Sequence, residues 1–255
     1  MDSLVSPVPE QRFSDRVENY VRYRPSYPQA IIGLLRQEAG LTASSSVADI
    51  GSGTGISAAL FLQQGCTVHA VEPNHKMREA AEHLLAGQAS FHSVHGSAQA
   101  TTLPDRSMDL IVAAQAFHWF NAPETRAEFS RILKPDGRIA LIWNERKLDA
   151  TPFLRDYEQL LLDHATDYGQ VRHELVSPEA LAQFFIGPHT VHDFPNQQQF
   201  DFEGLQGRLL SSSYAPGPGH PQHPPMIASL RSLFDHHQQD GQVIMDYTTR
   251  VYLGR

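Results

Sequence analysis

The chain has 255 residues, enough for one large α/β domain or two small ones, and for a substantial core without disulfide staples. Its formal net charge of −8 argues against a general nucleic-acid binder, which normally carries a basic face. The single cysteine, Cys66, excludes an intrachain disulfide and points to a reducing, cytoplasmic setting.

The start, Met1 to Glu10, lacks the basic and apolar regions of a signal peptide, and no apolar run approaches the ~20 residues of a membrane helix. Residues up to about Arg12 read as a loose tail. From Phe13 the pattern predicts an amphipathic helix with Ser14 as N-cap and an apolar stripe of Phe13, Val17, Tyr20 and Val21. Pro25 and Pro28 end it, and Gln29–Glu38 forms a second helix. The run Val47-Ala48, the segment Asp49-Ile50-Gly51-Ser52-Gly53-Thr54-Gly55 and the run Ile56–Leu62 predict strand, tight turn and helix. Without Cβ atoms the turn lets a ligand lie against backbone, near the positive end of the following helix. A second strand, Thr67–Val71, ends at Glu72, 21 residues after Gly51. An acidic side chain about 20 residues past the first glycine is placed to hydrogen-bond ribose hydroxyls.

Pro73-Asn74 leads into a helix over His75–Leu85, and Phe91–His95 is the third strand. Met108–Ala114 is apolar enough for a central strand of a parallel sheet, and its carboxyl end carries Gln115-Ala116-Phe117-His118-Trp119-Phe120. Ligands of open α/β sheets bind at such ends. A helix over Pro123–Leu133, a turn over Lys134–Gly137 and a fifth strand over Arg138–Trp143 complete this part. Beyond Asn144 the pattern gives helices over Phe153–Thr166 and Pro178–Phe185, a polar strand over Val191–Phe202, a segment Leu205–Tyr214, a helix over Met226–Gln238 and a last strand over Val243–Leu253.

The Gly-x-Gly-x-Gly turn behind an acid, Glu72, the Leu-Lys-Pro-Asp-Gly turn and the leader Tyr20–Pro28 together resemble the class I S-adenosylmethionine-dependent methyltransferases, of the methyltransferase type 11 kind. The resemblance runs motif by motif from about Tyr20 to Trp143. It implies a Rossmann-like, seven-stranded, mostly parallel sheet with helices on both faces, an antiparallel last strand and appended cap helices. It also implies one domain: lid helices over 1–45, a cofactor-binding core over 46–145, and a C-terminal part with a cap insertion over 146–255. S-adenosylmethionine is the implied cofactor and S-adenosylhomocysteine its product. Asp49, Gly51, Gly53, Gly55, Glu72, Pro73, Ser97, Ala98, Gln99 and Gln115 are the implied cofactor residues. In the family a Gly-x-Ala-Glu segment lies along the adenine; here Gln99 replaces the acid, leaving Ser97 and Ala98 as backbone contacts. The acceptor is expected to be a small molecule, methylated at a carboxylate or hydroxyl, by a monomer or homodimer without nucleic-acid or membrane partners.

His118, titrating near neutrality, is the candidate general base, against a role in packing or orienting. Tyr20 and Arg24 are candidates for gripping a carboxylate, since arginine makes bidentate pairs with one. Trp119 is placed to face the sulfonium or a flat substrate; Arg208 and Tyr214 are candidates for the acceptor pocket. The remaining histidines lack zinc-ligand spacing, so no metal site is expected. Two alternatives are a module that binds the cofactor without turnover and an NAD(P)-dependent oxidoreductase. The latter is disfavoured because Ile56 stands where Gly-x-Gly-x-x-Gly needs its third glycine.

Overall fold

The computed structural model describes residues 16–170, 177–185 and 187–255. Phe13 and Ser14, and with them the expected start of the first helix, lie outside the described residues. Seven strands form one sheet: β1 (Ser46–Ile50), β2 (Thr67–Val71), β3 (Phe91–Val94), β4 (Met108–Ala114), β5 (Leu133–Arg146), β6 (Thr190–Phe200) and β7 (Val243–Gly254). Their order is β3-β2-β1-β4-β5-β7-β6. β1 to β5 pair in parallel, whereas β7 runs antiparallel to both β5 and β6. This is the expected Rossmann-like sheet with its reversed last strand.

The central strands are apolar on both sides, and alternation divides their side chains between two cores. Ile111 and Ala113 of β4 join Ile50, Phe129, Ile139 and Leu141 on one face. Leu110 and Val112 join Val47, Phe61, Ala140 and Ile142 on the other, under helix α2 (Ala30–Glu38) and α3 (Ile56–Leu62). The first face is covered by α5 (Ala122–Ile132) and α7 (Pro178–Phe184), whereas α4 (His75–Leu84) packs beside β3. A third core lies outside the sheet proper. There α6 (Pro152–His164), α8 (Phe202–Leu210) and α9 (His223–His237) enclose Leu154, Leu161, Leu205, Leu209, Met226 and Leu230 against Met245 of β7.

Several expected boundaries move, and contacts explain two of them. The strand expected to reach Phe202 stops at Phe200, because Asp201 accepts from the Gly204 amide (2.8 Å) and caps α8. The fifth strand starts at Leu133, before the expected turn. Lys134 pairs with Asp109 of β4 (2.8 and 2.9 Å), and Leu133 pairs with Met108 across an irregularity that absorbs the extra residues. Helix α1 (Val17–Tyr23) buries no residue of its own. It is clamped to α8 instead: Arg16 donates to the Leu210, Ser212 and Ala215 carbonyls (3.0, 2.6 and 2.7 Å). The Tyr23 ring occupies the notch at Gly207, where an added Cβ would lie 2.0 Å from it.

Candidate active site

The chain crosses outward from β1 to β3 and returns to the other side of β1 as β4, so the sheet's switch point lies between β1 and β4. Register decides what meets there. Ile50 pairs with Val71, which sets Gly51 and Glu72 level at adjacent strand ends. Asp49 pairs with Val112, which brings the end of β4 beside the glycine turn.

The turn is built for close approach. Gly51 has φ +69° and would place a Cβ 2.6 Å from the Ala116 Cβ. Any side chain there meets a nearly immovable atom in a conformation that L-residues avoid. Gly51→Ala is therefore expected to cost at least about 2 kcal/mol of stability and to obstruct the cleft. Urea unfolding and a cofactor titration check this; wild-type values in both would show that the turn does not depend on this glycine.

Glu72 is held from two sides. Its Oε2 accepts from the Gly53 amide (3.0 Å) and its Oε1 from the Asn74 amide (2.8 Å). Arg78 fixes the following bend by donating to the Glu72 and Pro73 carbonyls (2.9 and 3.0 Å). Glu72 lines a cleft with Gly51, Gly53, Pro73, Asn74 and Met77 on one side. Ser97, Ala98 and Gln99 line a second side. Their loop is pinned by Glu128 of α5, which accepts from the Thr101 amide (2.8 Å) and hydroxyl (2.5 Å). Hydrogen bonding to Arg131, then to Thr101, holds the Glu128 carboxyl down at about 2, so the brace is ionised at any physiological pH.

The third side is the end of β4: Ala114, Gln115, Ala116, Trp119 and Phe120. Gln115 has φ +58°, a left-handed backbone kept by bonds from its amide to the Ile142 carbonyl (2.8 Å) and from its Nε2 to the Asn144 carbonyl (3.0 Å). A non-glycine residue in this conformation costs about 1–3 kcal/mol and persists only where such bonds hold it in place. Tyr20 of α1 reaches the cleft from above.

The expected site residues thus divide. Tyr20, Gly51, Gly53, Glu72, Pro73, Ser97, Ala98, Gln99, Gln115 and Trp119 converge on the cleft. Asp49 and Gly55 support the turn from β1 and from the start of α3. His118, in the single helical turn Phe117–Trp119, is not among the lining residues; its ring lies 4.8 Å from that of Trp119. Arg24, Arg208 and Tyr214 lie off the cleft lining, close enough to one another for their charges to interact. Asn74, Met77, Ala116 and Phe120 were not singled out by sequence, although their places just past strand ends mark them. Among the described residues no His, Cys, Asp or Glu group of three or more could hold a metal ion, and no helix is long and apolar enough to cross a membrane.

Asp49 supplies the electrostatics. It is fully buried, its Oδ2 accepts from the Ser57 hydroxyl (2.6 Å), and its Oδ1 has no hydrogen-bond partner among the described residues. Burial, with a smaller contribution from the Glu72 charge, raises its carboxyl to about 7. A cation laid against the turn would restore its charge.

Residues 48–141 match the family model for a methyltransferase domain. These residues, from β1 to most of β5, belong to a methyltransferase domain. An uncharacterised methyltransferase of Schizosaccharomyces pombe is 33% identical over 153 residues, 58% of this chain and 58% of the relative. One of Mycobacterium tuberculosis is 32% identical over 167 residues, 66% of this chain and 64% of the relative. The matches therefore span less than two thirds of either relative. A type II methyltransferase structure from Anaeromyxobacter dehalogenans superposes with a TM-score of 0.68 at 20% identity, covering 91% of this chain and 98% of that one. An N-methyltransferase of Haemonchus contortus, bound to phosphomonomethylethanolamine and S-adenosylhomocysteine, gives 0.56 at 13% identity over 95% and 57%. These two likenesses are ones of fold.

The methyltransferase domain's own residues fit its cofactor, S-adenosylmethionine. A glycine cradle that a Cβ would fill lies above a buried carboxylate with no counter-charge among the described residues, and the Glu72 carboxylate lines the cleft beside it.

Proposed function

We propose that this chain transfers a methyl group from S-adenosylmethionine to a small-molecule acceptor, at a carboxylate or hydroxyl oxygen. The observation that carries this reading is the cleft in which a doubly anchored Glu72 faces the strained Gln115 wall. Bound S-adenosylmethionine supplies an electrophilic methyl group, so the protein's task is chiefly alignment of the acceptor and exclusion of water. Trp119 and Phe120 provide an apolar wall, and Tyr20 covers the cleft from α1. The buried Cys66 thiol, whose Sγ donates to the Thr42 carbonyl (3.3 Å), suits a reducing, cytoplasmic location.

The test is incubation of the protein with S-adenosylmethionine and a panel of small carboxylic acids and phenols, followed by mass spectrometry. Acceptor-dependent S-adenosylhomocysteine and a product heavier by one methyl group support the reading. Cofactor binding without turnover across the panel supports the non-catalytic module instead.

His118 tests the manner of catalysis. Because Trp119 lines the cleft and His118 does not, His118→Ala is expected to lower kcat less than about tenfold. A loss of roughly 100-fold or more, with a pH profile that loses its fall on the acid side, would restore His118 as the general base.

A further inference from the structure

Beside the cleft three guanidinium groups, that of Arg208 buried and those of Arg24 and Arg146 largely so, share a single carboxylate among the described residues. Arg24, the C-cap of α1, lies over the Tyr20 ring (4.8 Å to its centroid) and donates from Nη2 to the Ser211 carbonyl (2.9 Å). Its Nε is buried and has no hydrogen-bond partner among the described residues. Arg208 on α8 is 7% exposed; it donates to the Tyr247 hydroxyl (3.3 Å) and the Ser212 hydroxyl (3.0 Å). Arg146, at the end of β5, pairs with Glu158, donates to the Tyr168 hydroxyl (3.1 Å) and lies over the Tyr157 ring (5.0 Å). Its Nη1 is likewise buried without a hydrogen-bond partner among the described residues.

Such an arrangement is costly as it stands. Buried cations are normally paired, and the attraction of one carboxylate does not compensate three guanidiniums. The Tyr157 and Tyr168 phenols do not help, because burial raises both hydroxyls and keeps them neutral. Burial, then repulsion from Arg208, lowers the Arg24 guanidinium. A chain with eight more acidic than basic side chains nonetheless gathers its buried arginines here. Guanidinium forks are suited to planar or tetrahedral oxyanions, and two of the three leave an N–H unused.

We infer that Arg24, Arg146 and Arg208 form an anion site, and that it holds a carboxylate or phosphate group of the acceptor remote from the methylated oxygen. The inference rests on the methyltransferase reading for what happens at the cleft. Tyr20 joins the two places, lining the cleft with the same ring that Arg24 covers. The acceptor class is then a small organic acid with at least one anionic group besides the reacting function. Its anion ties α1, through Arg24, to the end of β5 and to α8.

The test is calorimetric titration at constant ionic strength, with and without saturating S-adenosylhomocysteine, using glutarate, inorganic phosphate and the neutral glutaramide as probes. Saturable binding of glutarate or phosphate, but not of glutaramide, is expected; the tighter of the two names the head group. Arg24→Met should weaken that binding at least tenfold while changing the affinity for S-adenosylhomocysteine less than threefold. Arg146→Lys, which keeps the charge facing Glu158 but loses the planar fork, should also weaken it. Equal binding of glutaramide, unchanged binding in both variants, or no anion binding by wild-type protein that binds S-adenosylhomocysteine would overturn the site. Failure of the wild type to bind S-adenosylhomocysteine would remove the methyltransferase reading, and the cofactor-free titrations would then decide the anion site by the same criteria.

Discussion

Alanine at position 72 is expected to lower the affinity for S-adenosylmethionine at least 100-fold. Two losses combine. The carboxylate that would take ribose hydroxyl bonds disappears, and the Gly53 and Asn74 amides lose the acceptor that now holds them at 3.0 and 2.8 Å. A buried N–H left unsatisfied costs about 1–3 kcal/mol, and about 1.4 kcal/mol is a factor of ten in affinity. The turn also loosens, so the variant's melting temperature should fall with its affinity. Glu72→Gln keeps an acceptor oxygen and should lie between the two proteins in both respects. Calorimetry with circular dichroism checks this; unchanged affinity in Glu72→Ala would remove Glu72 from the site.

The second large effect is one of pH. Asp49 ionises near 3.8 in an unfolded chain and at about 7 in the folded one. Folding therefore favours its protonated form, and the fold loses stability as pH rises from about 4 to 7. The separation of about three units, at about 1.4 kcal/mol each, amounts to roughly 4 kcal/mol. Asp49→Asn should accordingly stabilise the cofactor-free protein above pH 7, by up to that amount, and leave it little changed near pH 4. The cofactor reverses the balance. Its cationic end gains from an ionised Asp49, so affinity for S-adenosylmethionine should rise across pH 6 to 8 in the wild type and change less in Asp49→Asn. Denaturant titrations and calorimetry at several pH values measure both. A flat affinity profile in the wild type would show that Asp49 does not act through its charge.

What was legible in the sequence was what local spacing controls. Strand β4 lies at Met108–Ala114, where its apolar run placed it, because a strand buried on both faces leaves an uninterrupted apolar signal. The glycine turn and Glu72 are legible for a related reason. Their relation is set by one strand-turn-helix-strand unit, and the register of β1 with β2 does the rest. Other features depend on partners far along the chain. Asn144 becomes part of the cleft's support only because Gln115 Nε2 reaches its carbonyl, while its side chain joins the Ser26 carbonyl (3.2 Å) to the Thr249 hydroxyl (2.5 Å). Arg146 reads in sequence as an ordinary basic residue after a strand; Glu158 and Tyr168, 12 and 22 residues away, make it a buried cation. Neighbouring residues also part company in ways spacing does not reveal. One short helical turn puts Trp119 on the cleft wall and leaves His118 off it.

The most direct measurement is calorimetric titration of the purified protein with S-adenosylmethionine, S-adenosylhomocysteine and NAD. The account predicts saturable one-site binding of the first two, weakened by Glu72→Ala, and none of NAD. Binding of NAD alone, or binding of S-adenosylmethionine indifferent to Glu72, would contradict it.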